Sequence, residues 1–194
     1  MGRKAHCRQH ILQSGLEVLS AKGYNGTGVK EIVERAGVPK GSFYNHFDSK
    51  ESFVIEALQM AAAQSLADAR QLLQDNTKPP VERLIAFFSQ QYQLMREQSF
   101  CGGCLVGNIS LEMAGENDNL RATTNAIFEQ YIALLAEVIA SAQQPAPNAQ
   151  HTDPKALAEF IHCAWEGTLM RLKTSRERQP FDIFIQQIQQ LLAD

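Results

Sequence analysis

Two clusters of residues in this 194-residue chain have types and spacings that could do chemistry. The first is Lys40-Gly41-Ser42-Phe43-Tyr44-Asn45-His46-Phe47, with Lys50 shortly after it. A Lys ammonium and the hydroxyls of Ser and Tyr suit phosphate oxygens, and Asn can pair bidentately with adenine. Phe43 and Phe47 stand four apart and would hold the same short helix against a core, leaving the polar positions outward. The second cluster is Cys101-Gly102-Gly103-Cys104. A dithiol of the thioredoxin kind needs a βαβ setting, which the surrounding sequence lacks. A structural zinc needs two more ligands. His162 and Cys163 are neighbours on one helix and point about 100° apart, and His151 falls in a loop, so no metal or other cofactor is expected. Cys104 instead stands just before or within the first turn of a helix, where unpaired N–H groups and the helix dipole stabilise a thiolate. Such a thiol reacts with electrophiles, hypochlorous acid or peroxides. Cys101 is then a resolving partner or a bystander. The competing reading is that Cys104 fills space as a small hydrophobe. The same reading makes Cys163, flanked by Ile161, Ala164 and Trp165, a buried packing residue.

These clusters sit in a chain of globular composition, with 44% apolar and 20% charged residues. No apolar run is long enough to span a membrane. The basic start, Met1-Gly2-Arg3-Lys4, leads into no apolar segment, and His6 breaks the myristoylation pattern. A cytoplasmic protein is expected, with its four cysteines as thiols rather than a disulfide framework. The net charge of −3 conceals an asymmetry. Residues 1–50 hold eight Lys and Arg against four Asp and Glu, a balance of +4, and the other 144 residues carry −7. A basic head on an acidic body suggests that the head meets a polyanion. Phosphate-binding glycine loops, HExxH and nucleophile elbows are all absent from the sequence. A Cys-based hydrolase built on Cys104 and His162 would lack an orienting third group. An architectural DNA binder without an effector would also carry a basic head. A protein-only adaptor would leave that head unexplained.

The pattern that must position these residues is all-α. A first helix is predicted over about residues 6–22, with Ile11, Leu12, Leu16 and Leu19 inward, ending at Gly23. Thr27 is placed to cap a second helix over 28–36. Gly37-Val38-Pro39 separates it from a short third helix, 40–47. This is a helix-turn-helix arrangement, whose second short helix would enter a major groove. Asp48 with Glu51 has capping-box spacing and would open a long helix to about residue 74. Further helices are predicted over about 80–98, 105–113, 117–143, 154–174 and 180–192, with a loop at 144–152 and Asp153 as a cap. The domain boundary is expected after residue 48, giving a three-helix DNA-binding head, 1–48, and an effector-sensing and dimerisation bundle, 49–194.

The run from Gly37 to Glu51, with Thr27 to Ala36 before it, resembles the signature of TetR-family transcriptional repressors. That resemblance implies a homodimer bound to double-stranded operator DNA and released by an effector. It also implies that Thr27, Lys40, Gly41, Ser42, Tyr44, Asn45, His46 and Lys50 belong to the DNA-binding surface, with Tyr44, His46 and Lys50 on the backbone. Gly103-Cys104-Leu105-Val106 with Ser110-Leu111-Glu112, and Trp165-Glu166-Gly167 with Lys173-Thr174-Ser175-Arg176, resemble the NemR-like subgroup, which responds to reactive electrophiles and oxidants. By that similarity Lys173 would lie close to Cys104, favouring the thiolate and trapping an oxidised sulfur. The alternative effector is an apolar small molecule. Phe87, Phe88, Tyr92, Met95, Met113, Phe128 and Tyr131 suit an apolar pocket among helices, and equally suit plain core. Trp165 would line that pocket or pack in a dimer interface. By the family resemblance the last two helices form the dimer face, through Leu157, Phe160, Ile161 and Ala164 on one and Phe181, Phe184, Ile185, Ile188 and Leu192 on the other.

Overall fold

The computed structural model describes residues 3–142 and 153–192, and side chains from Cys7 onward. The segment read as a loop at 144–152, with His151, lies outside the described residues. Among the described residues the ordered elements are all helices, with no strand. The order is α1(Arg3–Lys22), α2(Val29–Arg35), α3(Lys40–Tyr44), α4(Lys50–Leu73), α5(Pro80–Glu97), α6(Leu105–Met113), α7(Asp118–Ala142), α8(Pro154–Ser175) and α9(Gln179–Leu191). Two compact units emerge, each assembled from two stretches of chain: Met1–Gln64 with Cys104–Ile127, and Ser65–Gly103 with Phe128–Asp194. Residues 1–48 all fall in the first unit, which also takes the start of α4, all of α6 and the start of α7.

In the first unit, α1 buries Ile11, Leu12, Val18 and Leu19, while Leu16 is only half-buried. Gly15 brings α1 against its neighbours: a Cβ there would overlap the Phe53 ring and come 3.1 Å from Ile32 Cγ2. Phe43, Phe47 and Phe53 form a ring cluster with centroids 5.1–5.4 Å apart. This cluster holds α3 by one side. The α2–α3 turn follows Schellman geometry: Gly37 N–H donates to the Glu34 carbonyl, Val38 N–H to that of Val33, and Gly37 takes φ 63°.

Three sequence-based expectations about helix ends are corrected. Thr27 does not cap α2; Gly28 occupies that position, and the Thr27 hydroxyl donates to the Gly23 carbonyl at 2.7 Å. A buried hydroxyl can satisfy itself by closing the preceding turn as well as by capping the following helix. Asp48 does not open α4. Ser49 and Ser52 cap reciprocally, each accepting the other's backbone N–H at 3.0–3.1 Å, which frees Glu51 for other partners. Finally, α3 is a single turn of five residues, leaving Asn45 as its C-cap and His46 beyond it.

In the second unit, α9 packs against α8 and α5. Phe88, Trp165 and Phe184 form a mutual ring cluster with centroids 4.8–5.0 Å apart. Tyr92 stacks on Phe181 at 4.4 Å. Helix α8 is capped by Asp153, whose carboxylate accepts from Lys155 and Ala156 N–H groups, as its Asp-Pro start predicts. Two consecutive non-glycine residues, Ser99 (φ 52°) and Phe100 (φ 58°), end α5 in the left-handed region. Their N–H groups close a Schellman turn onto Arg96 and Met95.

Candidate nucleic-acid interface and thiol site

Four of the eight Lys and Arg of residues 1–50 are held in ion pairs. Arg8 pairs with Glu56, Lys22 with Glu31, Lys30 with Glu34 and Arg35 with Glu17. Lys50 is half-buried, its ammonium 4.1 Å over the Tyr24 ring. Burial holds its pKa below the usual lysine value, and the Glu112 carboxylate offsets only part of that shift. Among the described cations of residues 1–50, Lys40 alone is left with neither an acidic nor an aromatic partner. It opens α3, where a cation opposes the helix dipole, so its placement does nothing for local stability.

The rest of the recognition segment divides by exposure. Gly41 and Asn45 are exposed, Ser42 and His46 half-buried. Tyr44 is 54% exposed despite its size, its ring edge-on to Phe43. Phe43 is fully buried, so α3 shows one apolar side to the core and a polar side with a tyrosine outward. Thr27 drops out of this surface: at 1% exposure, with its hydroxyl spent on Gly23, it offers nothing to a phosphate.

The thiol region lies at the start of α6. Cys104 is the N-cap residue, half-buried, and its sulfur accepts the Gly107 N–H at 3.3 Å. Cys101 is exposed and its thiol donates to the Ser99 carbonyl at 3.6 Å. None of the four cysteines is in a disulfide. Cys163 is exposed rather than buried, and Cys7 is half-buried. Lys173 is exposed in the last turn of α8 and belongs to the second unit. His162, the imagined hydrolase partner, also lies in that unit, edge-on to Phe128 at 5.0 Å, with its imidazole pKa held down by burial.

Of the expected pocket set, Phe88, Trp165 and Tyr92 belong to one aromatic network: Trp165 meets Phe88 at 5.0 Å and Phe181 at 6.4 Å, and Tyr92 stacks on Phe181. Phe128 sits on His162. Met95 is buried in the same unit, Tyr131 is half-buried, and Met113 belongs to the first unit. The expected dimer face is corrected more sharply. Leu157, Ile161, Phe184 and Ile188 are at most 7% exposed within their own protomer, and Ala164 is half-buried. Of that set only Phe160 faces outward, at 58% exposure. The outer apolar residues are Phe160, Cys163 and Met170 on α8 and Ile183 and Leu191 on α9. Both stripes of α8 are apolar, so periodicity could not say which the core would take. Sequence reasoning also missed Glu112, whose partners lie 87 and 88 residues away and leave no local signal.

Comparison with known proteins fits this arrangement. Residues 11–57 match the family model described as bacterial regulatory proteins, tetR family, and residues 80–188 match the tetracyclin repressor-like C-terminal domain. The chain is 36% identical over 178 residues to the HTH-type transcriptional repressor DhaR of Mycobacterium sp. (strain GP1), covering 92% of this chain and 88% of that protein. It superposes on the crystal structure of a TetR regulatory protein from Rhodobacter sphaeroides with a TM-score of 0.86 at 32% identity, covering 94% and 97% of the two chains. The reduced form of E. coli NemR gives a TM-score of 0.87 at 25% identity, covering 95% and 96%. No described helix is long and apolar enough to cross a membrane. Helix-turn-helix head, helical body and both family matches agree that this chain is a DNA-binding transcriptional regulator of the TetR family rather than an enzyme.

Proposed function

We propose that this protein is a cytoplasmic, dimeric repressor that leaves its operator when the Cys104 thiol is alkylated or oxidised. The observation that carries the reading is the sulfur of Cys104 acting as the N-cap acceptor of α6. A helix N-terminus favours a sulfur anion and so a nucleophile. N-Ethylmaleimide adds that sulfur across its double bond, and the resulting carbanion takes a proton from water. Hypochlorous acid transfers chlorine to the sulfur with loss of hydroxide, and water then displaces chloride to leave a sulfenic acid. Either product adds a substituent to the sulfur that caps α6 and so disturbs its bond from the Gly107 N–H. The release is a population shift, set by how differently the modified residue fits the binding and non-binding states.

The DNA side of the reading rests on Lys40, with Gly41, Ser42, Tyr44, Asn45 and His46 around it. The dimer rests on the outward apolar stripe of α8 and α9, which suits a self-complementary two-fold contact with a second copy. Two heads about 34–36 Å apart would then enter successive major grooves.

The test is binding to a duplex selected from random sequences by the protein itself, before and after N-ethylmaleimide or hypochlorous acid. Cys104→Ser is the decisive variant, because serine keeps an N-cap acceptor and loses the thiol. Wild type should release DNA on treatment and recover with reductant after oxidation, while Cys104→Ser stays bound. If both stay bound, Cys104 is packing, and the effector is to be sought among apolar ligands of the helical body.

A further inference from the structure

The last turn of α6 reaches the head through one side chain. Glu112 is half-buried, and its two carboxylate oxygens accept two backbone N–H groups, that of Tyr24 at 2.7 Å and that of Asn25 at 2.6 Å. These donors belong to the turn that ends α1 and leads into α2. The other side of the turn is closed on itself: the Thr27 hydroxyl donates to the Gly23 carbonyl and the Thr27 N–H to that of Tyr24. Gly23 makes the approach possible twice over, with φ 70° and with Glu112 Oε2 only 2.6 Å from where a Cβ would sit. The Lys50 ammonium over the Tyr24 ring adds a cation that feels the same carboxylate. A second tie lies alongside. Glu51, in the first turn of α4, accepts from the side-chain amides of Asn117 and Asn119, both at 2.8 Å, in the turn after α6 and the first turn of α7. Those bonds hold its carboxyl below the usual range.

We propose that Glu112 is a positioning residue for DNA binding, and that its carboxylate is the group through which α6 fixes the α1–α2 turn and hence the orientation of α2 and α3. The inference rests on the DNA-binding role of α3. Charge-assisted bonds from one carboxylate to two amides are strong and geometrically demanding. Glutamine has nearly the same shape but one acceptor oxygen, and its NH₂ group would face a backbone donor. Shape alone therefore cannot replace the carboxylate.

The experiment compares wild type, Glu112→Gln, Glu112→Asp and Leu111→Ala on the self-selected duplex, with amide hydrogen exchange on the full-length protein. Leu111 is 90% exposed and serves as the neighbouring control. Glu112→Gln should bind DNA about tenfold more weakly, for the loss of one charge-assisted bond. Its salt dependence should match wild type, because the Glu112 carboxylate is occupied by the Tyr24 and Asn25 N–H groups and, being an anion, neutralises no phosphate. Exchange at Tyr24 and Asn25 should accelerate. Glu112→Asp should fall between, and it replaces the glutamine variant if that one does not fold. Leu111→Ala should behave as wild type. Unchanged exchange would mean the clamp does not form in solution. Faster exchange with undiminished affinity would mean the clamp does not position the head. Either result overturns the proposal. A wild-type protein that bound no duplex would instead sink the DNA-binding reading, and the exchange data would still decide the clamp.

Discussion

Helices α3 and α8 are built alike on the inside and unlike on the outside. Each presents aromatic residues to a ring cluster, Phe43 with Phe47 and Phe53 in one unit and Trp165 with Phe88 and Phe184 in the other. Outward, α3 shows Lys40 and Tyr44, whereas α8 shows Phe160, Cys163 and Met170. Hydrophobic burial fixes the inner faces by the same rule in both. On the proposed function, partner chemistry falls to the residues that the core leaves over: a cation and hydroxyl suit a wet polyanion, an apolar stripe suits another protein surface.

The comparison breaks most forcefully from the inside. Phe43→Ala should cost about 3–5 kcal/mol by emptying the centre of the head's ring cluster. Chemical denaturation would show it as an early transition, with Tyr44 and Lys40 losing their support although neither is altered. The outward apolar stripe is the next target. If the proposed dimer forms through this face, Phe160→Asp should give a monomer in sedimentation velocity and weaken duplex binding by roughly 100-fold, because two heads no longer dock together. A dimeric Phe160→Asp protein would refute the assignment of this face. The smallest effect is expected on the polar face: Lys40→Ala should weaken binding severalfold and lower the salt slope by about one phosphate contact. An unchanged slope would remove Lys40 from the interface.

The same contrast explains what the sequence disclosed. The helices, their order and the helix-turn-helix were legible because glycines, prolines and caps punctuate them locally, as at Gly37-Val38-Pro39 and Asp153-Pro154. The start of α6 behind Cys104 was legible for the same reason. What failed was anything decided by tertiary competition. The Thr27 hydroxyl could either accept an N–H of the following helix or donate to the carbonyl behind it, and it donates. The capping pair shifted by one residue from Asp48 and Glu51 to Ser49 and Ser52, since Glu51 had better donors in Asn117 and Asn119. On α8 the stripe Leu157, Ile161, Trp165 went inward and Phe160, Cys163, Met170 went outward, a choice that no single-helix pattern contains. The count of basic residues overstated the free charge of the head, since ion pairs with Glu17, Glu31, Glu34 and Glu56 absorb half of it.

The contact at Gly15 has a mechanical consequence. With no side chain on the α1 side of the contact, and Ile32 close beside it, the rotatable bonds of that joint are those of the buried Phe53 side chain. Joints between two side chains absorb small displacements by changing rotamer, and a backbone seated on a buried ring has less such slack. A twist applied to α4 at Phe53 is therefore expected to reach α1 directly, through a contact that leaves little room for the two helices to slide past one another.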